Sequence, residues 1–149
     1  MEVFRIHSPA YHALDGSGAA LHEARWNPPG SPVVYAALHY EGAILEQLVH
    51  AGIGRLPRNR VVSRIEVPET TASEELEGLD DGIWHDEART REMGAAWLES
   101  RTNVALLVPS AVARPVGLNV LVNPSHPDFE HVRVVETIEM RWDPRLDGR

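Results

Sequence analysis

The sequence predicts an α+β fold with largely antiparallel sheets and flanking helices. Several segments alternate apolar and polar residues, as strands do, and two segments place apolar residues at helical spacing. These strands and helices do not alternate regularly along the chain, which argues against a doubly wound parallel sheet. The length of 149 residues is typical of one domain, and the sequence shows no repeat or linker that would divide it. We therefore expect a single domain over residues 1–149.

The first half of the chain contains two predicted strands and one predicted helix. Val3–His7 alternates and predicts a strand, and Ala13–Ala20 is a Gly/Ser-rich loop. Asn27–Pro32 is a rigid turn, because proline fixes φ and glycine permits a chain reversal. Val33–Ala36 predicts a short strand. Tyr40–His50 predicts a helix whose apolar stripe consists of Ile44, Leu45, Leu48 and Val49.

The second half adds a second helix and four strands. Arg60–Val67 has a strand pattern, and the acidic segment Pro68–Gly82 predicts a surface loop with one helical turn at most. Asp86–Ser100 predicts a helix with Met93, Ala96 and Trp97 on its inner side. Three further strands are expected within Val104–Val108, Gly117–Pro127 and His131–Trp142.

Composition excludes several functional classes. The net charge of −8 repels phosphate backbones, so we expect no general nucleic-acid binding, although a local basic pocket could hold a small phosphorylated ligand. The absence of cysteine excludes disulfides, zinc-thiolate sites and cysteine nucleophiles, and it favours a cytoplasmic location. No apolar run approaches the ~18 residues that a membrane span needs, and we identify no signal peptide. The eight histidines lack the H-E-x-x-H spacing, so we expect no metal site.

Two candidate binding residues flank the rigid turn. Arg25 carries a permanent charge and can hold a phosphate through two parallel hydrogen bonds, and Trp26 with the stiff turn would restrict its position. The alternative is a surface arginine stacked on tryptophan. Tyr35 ends the next strand and offers a flat ring for stacking and one hydroxyl. The alternative is an ordinary core tyrosine.

Two further candidates lie later in the chain. Glu46 lies at the margin of the apolar stripe of its helix, where a carboxylate can be half-buried and directed into a cleft; the alternative is a solvent-facing glutamate. Glu41 competes with it, but its place in the first helical turn is explained by capping. Ser110 follows Pro109 at a strand end without the G-x-S-x-G elbow, so we expect hydrogen bonding and not covalent catalysis, with a turn serine as the alternative.

Taken in order, the sequence blocks resemble a known family. "RWNPPGSPVVYAA", then "ILEQLVH", then "WLES…ALLVPSAV…NVLVNPSHPDF" resemble the RES domain family over a core from about residue 4 to 135. The family is named for an arginine, a glutamate and a serine, which match Arg25, Glu46 and Ser110, and Tyr35 matches a tyrosine of its pocket. Two positions differ from the family pattern: Ala24 replaces a glycine, and "GAAW" (residues 94–97) replaces Gly-Asp-x-Trp.

The resemblance implies an ADP-ribosyltransferase-like fold and a toxin of a bacterial toxin–antitoxin pair. Such a toxin would consume NAD⁺ as its substrate by hydrolysis or phosphorolysis of the nicotinamide–ribose bond, or would transfer ADP-ribose to a protein. Its partner would be a Xre-type helix-turn-helix antitoxin whose tail covers the pocket, and the complex could contain a homodimer. A non-catalytic binding module is the alternative from another class.

The resemblance also implies a role for each site residue. Arg25 would hold the pyrophosphate, Tyr35 would stack on the nicotinamide, and Ser110 would bind the amide or the ribose. Glu46 would stabilise the positive charge that develops on the ribose. Further ligand contacts are expected from Trp26 and Asn123, and the block Asn119–His126 around Asn123 has no assigned role beyond a structural one.

Overall fold

The computed structural model describes residues 1–52, 54–68, 73–76 and 79–148 of the 149-residue chain. Its strands are β1 (Glu2–His7), β2 (Val34–Ala37), β3 (Val61–Glu66), β4 (Ser73–Glu75), β5 (Ala105–Pro109), β6 (Leu118–Val122) and β7 (Arg133–Glu139). Its α-helices are α1 (Ser17–Ala20), α2 (Tyr40–Ala51), α3 (Asp81–His85) and α4 (Glu87–Ser100), and 3₁₀ turns occupy Pro127–His131 and Pro144–Leu146.

The described strands form one seven-stranded sheet in the order β4-β5-β6-β2-β1-β3-β7. Only β4 and β5 run parallel among these pairs; the other neighbours are antiparallel. The predicted α+β class with a largely antiparallel sheet and flanking helices is therefore confirmed. The central strands β2 and β6 pair over four residues, from Val34 opposite Val122 to Ala37 opposite Asn119. This register places Tyr35 and Asn119 in the same part of the sheet.

Two apolar clusters cover the two faces of the sheet. One contains valines and Ile65 of β1, β2, β3 and β6, and the other contains three tryptophans, Trp26, Trp84 and Trp97. A third, smaller cluster joins α2 to the sheet through Ala43, Ala37 and Ile6. Burying one large apolar side chain stabilises the folded state by roughly 1.5–3 kcal/mol. These contacts therefore hold α2 and α4 against the sheet.

The structure corrects four details of the predicted elements. A short strand, β4, lies within the segment expected to be an acidic loop, part of which falls outside the described residues. The Gly/Ser loop contains the single turn α1. The buried side of α4 consists of Thr90, Gly94 and Trp97, whereas Ala96 is exposed. The final strand is shorter than expected, since a 3₁₀ turn precedes it and pairing with β3 ends at Glu139.

The apolar stripe of α2 is only partly buried. Ile44 and Leu48 are half-buried, Leu45 and Val49 are exposed, and the buried residue of the helix is Ala43, which lies outside the predicted stripe. The helix begins after His39 and ends at Gly52, whose φ of 85° suits glycine. Within the described residues, no helix combines the length and apolarity needed to cross a membrane.

Candidate active site

A cavity of about 490 Å³ opens between α2, the strands β1 and β2, and the chain segment that precedes β2. Arg25, Tyr35 and Glu46 lie in its wall, together with Asn119 of β6. Ser110 stands directly behind this wall, bonded to Glu46. The structure thus brings together side chains from distant parts of the chain that the sequence selected as candidates. A cavity of this volume is in the usual range for small-molecule sites.

The Glu46 carboxylate is held by two neutral donors through the same oxygen. Ser110 Oγ donates to Oε1 at 2.9 Å, and Asn119 Nδ2 donates to Oε1 at 2.6 Å. The second oxygen, Oε2, lies 4.0 Å from Nε2 of His50, one helical turn further along α2. The Glu46 side chain is 22% exposed. The carboxylate is therefore held at Oε1, and its partly exposed side chain lies in the cavity wall.

Ser110 is positioned by the turn that joins β5 to β6. Its backbone N–H donates to the carbonyl of Gly117, and its Oγ accepts from the backbone N–H of Ala113 at 3.1 Å. A hydroxyl has one hydrogen, and Ser110 donates it to Glu46. Ser110 is 1% exposed. The serine therefore orients the carboxylate and, in this geometry, has no second hydrogen to donate to a ligand.

The Arg25 guanidinium is anchored on Trp84 of α3. It donates from Nη1 to the Trp84 carbonyl at 2.7 Å, and its carbon lies 4.4 Å from the centroid of the Trp84 ring. Nη2 pairs with Glu87 Oε1 at 3.3 Å. The side chain remains 24% exposed, and a guanidinium has five N–H donors, so it retains donors for an anionic ligand. The structure confirms stacking on tryptophan, but on Trp84 and not on the adjacent Trp26.

One face of α4 holds the segment that carries Arg25. Glu87 pairs with Arg25, and one turn later Arg91 Nε donates to the Ala24 carbonyl at 3.0 Å. At Gly94, a Cβ atom would lie 1.9 Å from the Trp26 carbonyl oxygen, so only glycine permits this approach. Spacings of four and three residues put these contacts on one side of the helix. The helix therefore determines where Arg25 enters the cavity.

Tyr35 extends from β2 into the cavity wall and bonds to Asn27. Its hydroxyl donates to Asn27 Oδ1 at 2.6 Å. Burial raises the pKa of Tyr35 to about 12, although a backbone hydrogen bond at Trp26 and the charge of Arg91 act in the opposite direction. The phenol is therefore neutral at physiological pH. Tyr35 can offer a ring face to a ligand but does not act as a base.

The two weaker candidates have different outcomes. Trp26 borders the cavity, but its indole is 2% exposed and packs against Trp84 with ring centroids 6.2 Å apart. Asn123 is not among the residues that line this cavity and is 1% exposed, so the geometry gives its expected ligand contact no support. Its Nδ2 donates to the Leu98 carbonyl and its Oδ1 accepts from the Ser125 N–H, so Asn123 closes the turn after β6 and ties it to α4.

Sequence reasoning missed Asn119, Asn27 and Trp84. Asn119 lay within a block assigned only a structural role, yet it contacts Glu46 directly. Asn27 belongs to the turn that the sequence predicts to be rigid, and Trp84 follows the segment that is predicted to be a loop. The signal for Asn119 was its place in a strand with apolar neighbours, where a polar side chain requires a partner.

Within the described residues, no group of three or more His, Asp or Glu side chains is placed to hold a metal ion.

The sequence model of the RES domain matches residues 2–143. This chain belongs to the RES domain family. The RES chain is 39% identical over 140 residues to the Prs ADP-ribosylating toxin of Sphingobium sp. (strain YBL2), covering 89% of this chain and 86% of that protein. It is 37% identical over 127 residues to Toxin Res of Pseudomonas putida (strain KT2440), covering 84% and 87%.

A solved structure shares the fold. The crystal structure of the M. tuberculosis MbcT–MbcA toxin–antitoxin complex contains a chain that aligns with a TM-score of 0.72, covering 93% of this chain and 83% of that one. Sequence identity is 22%, so this likeness concerns the fold alone. It supports the α+β architecture described above.

Proposed function

We propose that this RES chain is the toxin of a toxin–antitoxin pair and that it cleaves the nicotinamide–ribose bond of NAD⁺. The observation that carries the proposal is the convergence of Arg25, Tyr35 and Glu46 on one cavity, with the Glu46 carboxylate held by Ser110 and Asn119. Membership of the RES family and the names of its toxin relatives support the same activity.

Binding of the dinucleotide would use two residues of the cavity wall, Arg25 and Tyr35. Arg25 presents a charged fork to the pyrophosphate, and its contacts to Trp84 and Glu87 limit its motion before binding. Tyr35 offers its ring to the nicotinamide. No acid is needed for departure, because the C1′–N bond electrons leave with a pyridinium ring that becomes neutral nicotinamide.

Bond cleavage leaves positive charge on the ribose, and Glu46 supplies the compensating negative charge. Its Oε1 is already bonded to Ser110 and Asn119, so Oε2 is the oxygen that meets the substrate. At that position it can accept from a ribose hydroxyl, stabilise the oxocarbenium-like centre and take the proton of an incoming water. The new C1′–O bond then completes the reaction. Removal of one preorganised group of this kind typically costs ~10²–10³ in rate.

The role of Ser110 changes in one respect from that expected of it. Because Ser110 donates its only hydrogen to Glu46, we propose that it orients the carboxylate, in place of the expected contact to the nicotinamide amide or the ribose. Ser110 and Asn119 together keep Oε1 in place, so that Oε2 needs no rearrangement when charge develops.

Transfer of ADP-ribose to a protein is the second candidate function. The observation that favours it is the name of one relative, which describes an ADP-ribosylating toxin. Both reactions break the same bond and differ only in the acceptor. We infer a protein antitoxin as partner, since the chain belongs to the RES family and one structural neighbour is a toxin–antitoxin complex. The Xre type of that antitoxin is proposed from the family resemblance alone. A homodimer and a cytoplasmic location are part of the same proposal.

Incubation of the purified protein with NAD⁺ labelled in the adenylate moiety tests both functions. Release of nicotinamide with free labelled ADP-ribose, or ADP-ribose 1″-phosphate when phosphate is present, supports degradation. A labelled protein band after addition of cell lysate supports transfer. No nicotinamide release at high protein concentration, with or without lysate, would contradict both and favour a non-catalytic binding module.

A further inference from the structure

Asn27 is a fully buried polar residue beside the candidate active site. It is 0% exposed, and its Nδ2 lies 2.8 Å from the Ala19 carbonyl, 3.1 Å from that of Pro28 and 3.4 Å from that of His22. Its Oδ1 lies 2.6 Å from the Tyr35 hydroxyl. Both ends of the amide therefore have partners in the structure.

These partners fix the direction of the bond to Tyr35. Carbonyl oxygens only accept, so the end of the amide that faces three carbonyls must be the NH₂ group. The end that faces Tyr35 is then the oxygen, which only accepts. The phenol must donate, and it has one hydrogen to give. Tyr35 therefore has no hydrogen to donate to a ligand, and its oxygen already makes the backbone hydrogen bond at Trp26, so its ring is the part that it can offer to the cavity.

We propose that Asn27 is a positioning residue for the reaction: it accepts the Tyr35 phenol hydrogen and fixes the ring, so that Tyr35 meets the substrate through its ring face. The inference rests on the proposed function and specifies how one wall of that site works. Burial and a hydrogen bond of 2.6 Å both favour an arrangement that persists when ligand binds. Asn27 itself does not touch the substrate.

Asn27 also ties its own chain segment together through the three carbonyls, so loss of activity alone would not separate positioning from folding. A double-mutant cycle on kcat does separate them. Tyr35→Phe removes the link and the phenol's backbone hydrogen bond at Trp26, and it leaves the carbonyl contacts of Asn27 intact. Asn27→Ala removes the link and the carbonyl contacts. If Asn27 acts through the phenol, the two substitutions affect the same step, and their losses in kcat do not multiply.

The experiment measures nicotinamide release by the two single variants and the double variant, per folded protein and well below each thermal midpoint. A hydrogen bond of this kind predicts a fall in kcat of about 2- to 10-fold for each single variant. The double variant should then match the worse single variant within about twofold. A loss equal to the product of the two single losses would overturn the proposal. Tyr40→Phe is the matched control, because its hydroxyl contacts Met140 Sδ at 3.4 Å outside the cavity wall, and it should retain wild-type kcat.

A second measurement decides the matter if Asn27→Ala does not fold. A phenol hydrogen held by Asn27 should give a slowly exchanging hydroxyl proton signal in the wild-type protein at low temperature, assigned by its loss in Tyr35→Phe. The signal should persist after addition of ADP-ribose. Its absence from the free protein, or its loss on addition of ADP-ribose, would refute the assignment. Because this signal does not depend on catalysis, a wild-type protein that releases no nicotinamide would count against the proposed function alone.

Discussion

Gly94→Ala tests whether α4 places the arginine of the candidate site. An added Cβ would lie 1.9 Å from the Trp26 carbonyl oxygen and 2.7 Å from its carbonyl carbon. A close C···O contact is about 3.3 Å, so the helix and the segment 24–27 must separate by roughly 1.4 Å. Both atoms belong to the backbone, so no side-chain rotation relieves the contact. Arg25 adjoins Trp26 and must move with it.

The separation has two measurable consequences. Overpacking of this kind costs about 1–3 kcal/mol, and for a protein of this size each kcal/mol lowers the thermal midpoint by about 2–4 °C. A displacement of ~1 Å in a binding group can reduce activity about 10²-fold. We therefore expect a lower midpoint and a kcat/KM for nicotinamide release that falls ~10²-fold at a temperature where the variant is fully folded.

Gly42→Ala is the matched control. Gly42 lies on α2, the helix that carries Glu46, and its added Cβ would meet Ala37 Cβ at an ordinary 3.5 Å. Alanine inside a helix is favoured over glycine by about 0.5–1 kcal/mol, so the midpoint should rise slightly and activity should be unchanged. A Gly94→Ala protein with wild-type midpoint and wild-type activity would refute the role given to α4.

Three other predictions follow from the site and the sheet. Ser110→Ala removes a charge-assisted bond to Glu46 and should lower kcat about 10- to 100-fold with little change in KM; an unchanged kcat in steady-state assays would contradict the orienting role. Arg25→Lys loses the two-pronged contact to phosphate and should raise the Kd for NAD⁺ about tenfold in calorimetry, whereas unaltered affinity would place the pyrophosphate elsewhere. Burial lowers the pKa of His7, whose Nε2 bonds to Ser63 Oγ at 2.8 Å. The folded state therefore favours the neutral ring, and this contribution to stability is fully present above the unfolded-state pKa. It is lost as the pH falls through the lowered folded-state pKa. The thermal midpoint should therefore decline between pH 7 and pH 5 more steeply for the wild type than for His7→Gln, and parallel declines would contradict the assignment.

Sequence patterns predicted the long elements well, because their periodicity reflects burial on one face. The helix expected at Tyr40–His50 is observed as Tyr40–Ala51, and the strand pattern of Arg60–Val67 is observed as Val61–Glu66 with Ser63 and Ile65 buried. The short strand Ser73–Glu75 could not be found in this way. Three residues give too few alternations to detect, and their acidic composition resembles that of a loop.

Four residues of the candidate site were predicted from the sequence, but the contacts between them were not. The order of the sequence motifs along the chain identified Arg25, Tyr35, Glu46 and Ser110 as candidates. No local pattern shows, however, that Ser110 bonds to Glu46, which lies 64 positions away in the sequence. The contact between Asn119 and Glu46 spans 73 positions and depends on the pairing of β6 with β2. Partners of this kind are set by the register of the sheet, which is a property of the whole fold.

The rate of nicotinamide release by Glu46→Gln tests the central claim most directly. The substitution keeps the size of the side chain and removes the negative charge that is proposed to stabilise the ribose. We expect a loss of about 10²–10³ in kcat with a wild-type thermal midpoint, while Glu41→Gln, in the first turn of the same helix, should remain fully active. Wild-type turnover by folded Glu46→Gln protein would contradict it.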